Sequence, residues 1–337
     1  MGIAYGQGDT VLGQRIIIYG AGAVGSVMGA LLHRSGCDSV LIARGAHLET
    51  MQRDGLMLIG PEGTSRHPVQ AVAHPGEIDF EEHDVVILTM KTHDVAAALE
   101  DLSGASEREL PIVCAQNGVE SERIASRRFA NVYGMLVWLP AMFLEPGQVI
   151  SYGSPRMGLL DAGCYPNGTD ARIEQVTAAL DASGLVARPR PDIMRWKYNK
   201  LLSNLFNALM ACLGPGSDFG AFPKQLREEA LACYAAAGID YTPEDEAEAR
   251  RADVGGGVVP VPGQPQLAGS SWQSLYRGLG SIETDYLNGE IVVLGQLHVV
   301  PTPYNRGLLR AAKRLARRGL KPGTLTLDDL EAEVSAS

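Results

Sequence analysis

The sequence predicts an α/β protein, with a doubly wound parallel sheet in its N-terminal part followed by an all-helical C-terminal domain. Three observations predict it. Arg15-Ile-Ile-Ile-Tyr19 runs into glycines spaced G-x-G-x-x-G (Gly20, Gly22, Gly25), and an apolar helical segment over 24–32 follows at once. Apolar runs then alternate with helical segments up to about residue 190, the pattern of a parallel sheet covered by helices. From Asp192 onward, long helical stretches dominate. The reading divides the chain into a Rossmann-type domain over 14–190 and a helical domain over 191–330, with the boundary at Pro189-Arg190-Pro191.

The elements follow in order. A second strand reads Ser39-Val-Leu-Ile-Ala43, and a short helix is expected near 47–53. Short strands are expected over 55–60 and 68–73. The continuous apolar runs 84–90 and 111–116 have the character of strands buried on both faces. Helices are expected over 94–102 and 120–129, and sheet extensions over 135–140, 148–152 and 156–160. A helix over 171–183 and a strand over 185–188 close the first domain. The second is predicted to hold helices over 193–213, 221–237, 243–252, 270–297 and 305–318. A Gly/Pro-rich loop over 255–265 is expected to be mobile, the first thirteen residues frayed, and the acidic tail disordered beyond Glu333.

Bulk properties exclude several classes. The 337 residues exceed what one core usually holds. A formal charge of −10 disfavours a nucleic-acid partner, so phosphate binding must rest on local groups. Five scattered cysteines (Cys37, Cys114, Cys164, Cys212, Cys233) form no C-x-x-C pair, which argues against a zinc site or a disulfide framework. No metal site is expected. No leader pattern and no membrane-length apolar run is visible, so the expected setting is cytoplasmic, with reduced thiols.

The glycine pattern carries the first chemistry. A bare G-x-G-x-x-G is weak, but here it lies between a strand and a helix, where it cradles a dinucleotide pyrophosphate on the helix N-terminus. The expected cofactor contacts are Gly20, Ala21, Gly22, Ala23, Val24 and Gly25. Arg44 ends the second strand, 19 positions past Gly25, and no acid occurs over 39–46. An acid there would bond a free ribose 2′-OH, whereas an arginine pairs with a 2′-phosphate. Arg44 is either that partner or an ordinary surface arginine. The absent acid favours the partner, and hence NADP(H).

Ligands of open α/β sheets bind beyond the carboxyl ends of the strands. Lys91 and Asn117 each directly follow a predicted buried strand. Singly they read as a solvated lysine and a turn residue before Gly118; their matched positions favour a site. Within Arg195–Leu213, Lys200, Asn204 and Asn207 share a narrow stripe of an otherwise apolar helix, flanked by Trp196 and Ser203. An exposed face usually carries more charge than one lysine and two amides, so the stripe is read as the lining of a cleft. A lysine desolvated there would have a lowered pKa and could donate a proton to a carbonyl oxygen. Glu283 and Asp285 read as surface acids on composition alone.

These motifs together resemble the ketopantoate reductase (2-dehydropantoate 2-reductase) family. The likeness rests on Gly20–Gly25, Leu88-Thr-Met-Lys91, Gln116-Asn117-Gly118 and Lys200-Leu-Leu-Ser-Asn204. It continues through Ser270-Ser271-Trp-Gln, Glu283-Thr-Asp-Tyr-Leu-Asn-Gly289 and Pro301-Thr-Pro303-Tyr-Asn305. The resemblance implies reduction of 2-dehydropantoate to pantoate by NADPH in pantothenate synthesis, at a site between the two domains. It implies Lys200 as general acid and Glu283 as the acid that helps position substrate. Asn117, Asn204 and Asn207 would contact substrate or nicotinamide, Lys91 the cofactor cleft, and Ser271 or Ser270 the substrate carboxylate. It also implies a homodimer through the helical domain, by analogy only. A reductase of another small 2-oxo acid, an opine-type dehydrogenase and a non-catalytic NADP(H) sensor are the alternatives. Three departures fall near the substrate pocket. Ala208 stands where the family has a second asparagine, Ser274 stands where it often has an aspartate, and an extra residue lies between Gln273 and Glu283. The 243–265 region has no close match.

Overall fold

The computed structural model describes residues 14–278 and 280–336, so the expectation for the first thirteen residues lies outside the described residues. The strands are β1 (Ile16–Tyr19), β2 (Ser39–Ile42), β3 (Leu56–Gly60), β4 (Gly63–His67), β5 (Gln70–Val72), β6 (Val85–Leu88) and β7 (Ile112–Cys114). They continue as β8 (Val132–Met135), β9 (Ala141–Met142), β10 (Gln148–Ser151), β11 (Gly153–Ser154), β12 (Ala162–Cys164) and β13 (Gly257–Val258). The helices of the first part are α1 (Ala23–Ser35), α2 (Gly45–Asp54), α3 (Thr92–Ala105), α4 (Ser121–Ala125) and α5 (Ala171–Ala182). Those of the second are α6 (Ile193–Asn204), α7 (Phe206–Leu213), α8 (Phe222–Ala237), α9 (Glu244–Ala252), α10 (Ser270–Tyr276), α11 (Asn288–His298), α12 (Pro303–Arg317) and α13 (Leu327–Ser335).

The main sheet has seven strands in the order β12-β8-β7-β6-β1-β2-β5, all parallel except β12. From β1 the chain winds one way through β2 and β5, then returns to β6 and winds the other way. The switch point therefore lies between β1 and β6, where the carboxyl ends of the strands open a crevice. Every residue of β1, β6 and β7 is buried, because helices cover both faces. Val27, Met28, Leu31 and Leu32 of α1 fill one side with Ile16 and Ile18, and Val95, Leu99 and Leu102 of α3 fill the other with Ile17 and Val86. Each such side chain contributes about 1.5–3 kcal/mol relative to exposure. A smaller sheet, β4-β3-β10-β9, packs against α1. A separate core, built on Leu201, Leu209, Phe222, Leu226, Ile291 and Leu308, holds the helical region together.

Several expectations need correction. The hairpin strand β4 has no apolar alternation (Gly63-Thr-Ser-Arg-His67, mostly exposed), so the pattern could not reveal it. Past Met135, over 136–140 and 156–160, only isolated bridges form, Trp138 with Leu159 and Leu159 with Val186; the strand itself is β8, which starts three residues before the expected extension. The single helix expected over 270–297 is broken into α10, a 3-10 turn over Glu283–Tyr286 and α11. Gly278 and Gly280 take positive φ there, which a helix cannot absorb. The loop over 255–265 is tied down rather than loose. β13 pairs with β11, Val259 N–H donates to Tyr152 O at 2.7 Å, and the Tyr152 hydroxyl donates to Pro265 O at 2.6 Å. The tail is helical to Ser335, with Leu330 fully buried and Glu333 paired to Arg310 and Arg314.

Candidate active site

The crevice at the β1/β6 switch point opens into a cavity of about 860 Å³ between the sheet and the helical region. Its floor is the loop after β1. Gly20 has φ +108°, and a side chain there would run into the backbone of Met90. Gly22 has open space in front of it, and no side chain caps α1, so the first amides of the helix face the cavity. Ala21, Ala23 and Val24 line the cavity as well. Gly25 does not; it lies beneath the loop, where a Cβ would overlap the carbonyl of Gly20 and come within 2.5 Å of Thr89 Oγ1. Its part is to let α1 press against β1 and β6. Under the same loop, His47 accepts from Gly147 N–H at 2.8 Å through Nδ1 and meets Ser26 Oγ at 3.2 Å. Burial pushes its imidazole down to about 4, so the ring is neutral at pH 7.

Arg44, two residues past β2, lines the cavity and is exposed. Its neighbour Tyr19 donates to Asp101 at 2.8 Å, and burial ahead of that bond raises the phenol to about 12. Arg44→Ala should lower the ratio of NADPH to NADH affinity by about 10- to 100-fold, the worth of one charge-assisted bidentate pair. Fluorescence titration with both cofactors measures it, and an unchanged ratio would place 2′-phosphate recognition elsewhere.

Lys91 and Asn117 both line the cavity at the ends of β6 and β7. Gln116 secures these ends, donating to Leu88 O at 2.7 Å and Met90 O at 3.1 Å, and its Oε1 is left buried without a partner. Lys91 donates to Ser274 Oγ, and Ser274 donates to Ser270 O at 2.8 Å. The serine at the position where an aspartate was expected is thus the lysine's partner. Burial lowers the Lys91 pKa, against the pull of Glu283.

The stripe on α6 and α7 also reaches the cavity: Lys200, Asn204 and Asn207 all line it. The helix is interrupted at Leu205, yet Leu205 keeps helical dihedrals and the stripe continues across the break. Trp196 does not line the cavity; it is buried against Leu136 and Leu159 with the Arg190 guanidinium over its ring at 4.4 Å. Ser203 is exposed and bonds back to Lys200 O. Lys200 makes no hydrogen bond or ion pair among the described residues. Burial, with Arg251 and Lys197 nearby, pushes its ammonium down to about 8. Asn204 Oδ1 is buried and unpartnered.

Glu283 lines the cavity but bonds away from Lys200. Its Oε1 accepts from Thr92 N–H at 3.1 Å and Thr92 Oγ1 at 3.3 Å, at the N-terminus of α3. A carboxylate in that place is favoured by the helix dipole, and it fastens the 3-10 turn to the strand end that carries Lys91. Of the two serines, Ser270 lines the cavity, whereas Ser271 is buried, outside the lining, with its hydroxyl unpartnered. The two lie about 100° apart on α10, and Ser270 is the one turned to the cavity. Asp285 pairs with Lys313 at 2.6 Å on the outside.

The sequence reading missed several lining residues. Arg277 stands over the Phe143 ring at 4.6 Å, and Trp138, Leu139, Val258 and Leu267 form an apolar wall. No spacing rule marks them, since loops, an isolated bridge, a helix end and the two-residue strand β13 supply them.

The residues present fit a dinucleotide. The glycine loop is open in front of Gly22, the α1 amides are uncapped, and Gln116 and Asn204 offer unpartnered buried oxygens beside the crevice. Among the described residues no cluster of His, Cys, Asp or Glu could hold a metal ion.

Comparison with known proteins agrees with this geometry. The family model for ketopantoate reductase PanE/ApbA matches residues 16–164, and that for its C-terminal part matches 192–316. A 2-dehydropantoate 2-reductase of Mesorhizobium japonicum is 30% identical over 341 residues, covering 90% of this chain and 98% of that protein. The chain belongs to the ketopantoate reductase family. Members of this family are oxidoreductases that use a nicotinamide cofactor. A further 2-dehydropantoate 2-reductase, from Archaeoglobus fulgidus, is 26% identical over 89% of this chain and 97% of its own length. Another, from Pyrococcus horikoshii, is 30% identical but aligns over only 56% of this chain and 60% of its own length. Among solved structures, a PanE/ApbA family ketopantoate reductase from Ralstonia eutropha superposes with a TM-score of 0.76 at 26% identity, over 91% of this chain and 99% of that one. A D-mandelate dehydrogenase with NADH and anilino(oxo)acetate superposes with a TM-score of 0.75 at 25% identity, with the same coverage.

Proposed function

We propose that the chain reduces a 2-oxo acid with NADPH, and that 2-dehydropantoate, converted to (R)-pantoate in pantothenate synthesis, is the substrate. One observation carries the reading: the ammonium of Lys200, unpaired and partly desolvated, shares a single cavity with the glycine loop, Lys91 and Asn117. The two lobes are proposed to act as separate domains, the first for the cofactor and the second for substrate, joined near residue 190.

In this reading the glycine loop and the α1 amides would hold the pyrophosphate, Arg44 the 2′-phosphate, and Asn117 the ribose or nicotinamide. The cofactor, when bound, supplies a hydride. Lys200 donates its proton to the substrate oxygen as charge develops there. Asn204, Asn207 and Ser270 orient the carbonyl and carboxylate, while Glu283 fastens the turn beside α3 and keeps the strand-end groups in place. The apolar wall at Trp138 and Leu139 keeps water from the reacting carbon. Positioning and electrostatics are the protein's share of the rate.

Lys200 must carry its proton to act as an acid. The expected kcat for reduction is therefore level below pH 7 and falls as pH rises through about 8, the value to which burial has pushed the amine. A kcat profile level up to pH 10 would remove Lys200 from the role.

A second reading, reduction of a different 2-oxo acid, is favoured by the likeness to D-mandelate dehydrogenase. Loss of NADPH absorbance with 2-dehydropantoate, 2-oxoisovalerate and pyruvate, each with and without an added amine, separates the readings. The highest kcat/KM with 2-dehydropantoate is expected. A higher value with another acid moves the substrate, a requirement for amine points to an opine-type reaction, and binding of NADPH with no turnover leaves a sensor. A homodimer through the helical region completes the proposal, and sedimentation tests it.

A further inference from the structure

One buried cation has no step in the reaction above, and it lies one turn before Lys200. Lys197 of α6 is 3% exposed. Its ammonium donates to Gln116 O at 3.1 Å, to Cys114 O at 3.4 Å and to the carboxylate of Glu122, which is fully buried. All three acceptors belong to the sheet lobe: the last residue of β7, the residue just before Asn117, and α4. Among the described residues no other side chain of α6 hydrogen-bonds to that strand end; Arg195, Trp196 and Asn199 bond within their own region. The pair is closely seated. A Cβ on Gly134 of β8 would lie 3.2 Å from Glu122 Oε1 and 3.4 Å from Lys197 Cδ.

A buried Lys–Glu pair is a poor source of stability, since apolar residues of like volume often serve as well. What the pair does supply is register. Lys197, Lys200 and Asn204 lie at i, i+3 and i+7, so they share one side of the helix. Holding the first of them against the end of β7 fixes where the other two stand relative to Asn117.

We propose that Lys197, through its buried pair with Glu122, is the positioning residue for Lys200, latching α6 of the helical lobe to the strand end that carries Asn117. The proposal rests on the reading of Lys200 as proton donor. A shift of about 1 Å at the reacting groups can cost on the order of 10²-fold in rate, so a loose latch slows the chemistry without weakening the cofactor site.

The test replaces the pair as a unit with K197M/E122L, which removes both charges and keeps the volume. The expected result is a Tm close to the parent's, an unchanged Kd for NADPH, a KM for the 2-oxo acid within about threefold and a kcat lower by about 10²-fold. Parental kcat at parental Tm would overturn the proposal. If the double variant is insoluble, E122Q carries the same test. It leaves Lys197 its two carbonyl acceptors, so a kcat loss of about 3- to 10-fold at constant KM is expected, and parental kcat overturns it. Failure of the parent chain to oxidise NADPH with any of the 2-oxo acids would overturn the underlying reading itself, a result distinct from either variant's.

Discussion

Replacing Lys200 by alanine lowers kcat by about 10²- to 10⁴-fold, the usual contribution of a positioned general acid, and leaves the Kd for NADPH unchanged. The first half follows from the chemistry of the cavity. Lys200 is the cavity-lining ammonium with no hydrogen bond or ion pair among the described residues, and its pKa of about 8 keeps a large protonated fraction near neutrality while easing release of the proton. Lys91, the other lining lysine, is engaged by Ser274 and stands at the N-terminus of α3. The second half follows from the fold: the groups proposed to hold the dinucleotide are in the loop after β1 and just past β2, whereas Lys200 belongs to the helical region. Steady-state kinetics beside a fluorescence titration separates the two halves. A kcat within twofold of the parent's would transfer the proton donation to another group, with Lys91 the first candidate.

Gly25→Ala gives the opposite split. The added methyl would overlap the Gly20 carbonyl and approach Thr89 Oγ1 at 2.5 Å and Ile18 Cγ2 at 3.0 Å. The first two are the partners of a bond that fastens the glycine loop to the end of β6. Neither backbone nor strand can yield cheaply, because β1 and β6 are buried on both faces. Overpacking of this kind costs about 1–3 kcal/mol of stability. The loop that yields is the one proposed to hold the pyrophosphate, so a rise of about tenfold or more in the Kd for NADPH is expected. Calorimetric unfolding and cofactor titration read the two effects, and an alanine variant with parental Kd would show that the loop tolerates the shift.

What the sequence made legible was whatever is local in the chain. The glycine loop, the buried strands β6 and β7 and the polar stripe of Lys200, Asn204 and Asn207 each follow from periodicity over a few residues, and all of them meet in one cavity. The polar partners that fix them were not legible. Lys197 and Glu122 are 75 positions apart, and Lys91 and Ser274 are 183 apart. Pairings of that kind depend on how α6 and α10 cross the sheet, which no window of sequence encodes. Ser271 and Ser270 both stayed open because motif matching cannot fix helical phase within one residue. The loop over 255–265 was expected to move because glycine and proline signal irregular backbone, but irregular backbone can still be fastened, here by Tyr152 and by pairing with β11.

The central claim is that hydride passes from NADPH to the carbonyl carbon of a 2-oxo acid held beside Lys200. The most direct measurement uses NADPH deuterated at the transferred position with 2-dehydropantoate, and mass spectrometry of the 2-hydroxy acid formed. The account predicts a product carrying a single deuterium at C2, formed in step with cofactor oxidation. A product without deuterium, or labelled cofactor left unconsumed, would contradict it.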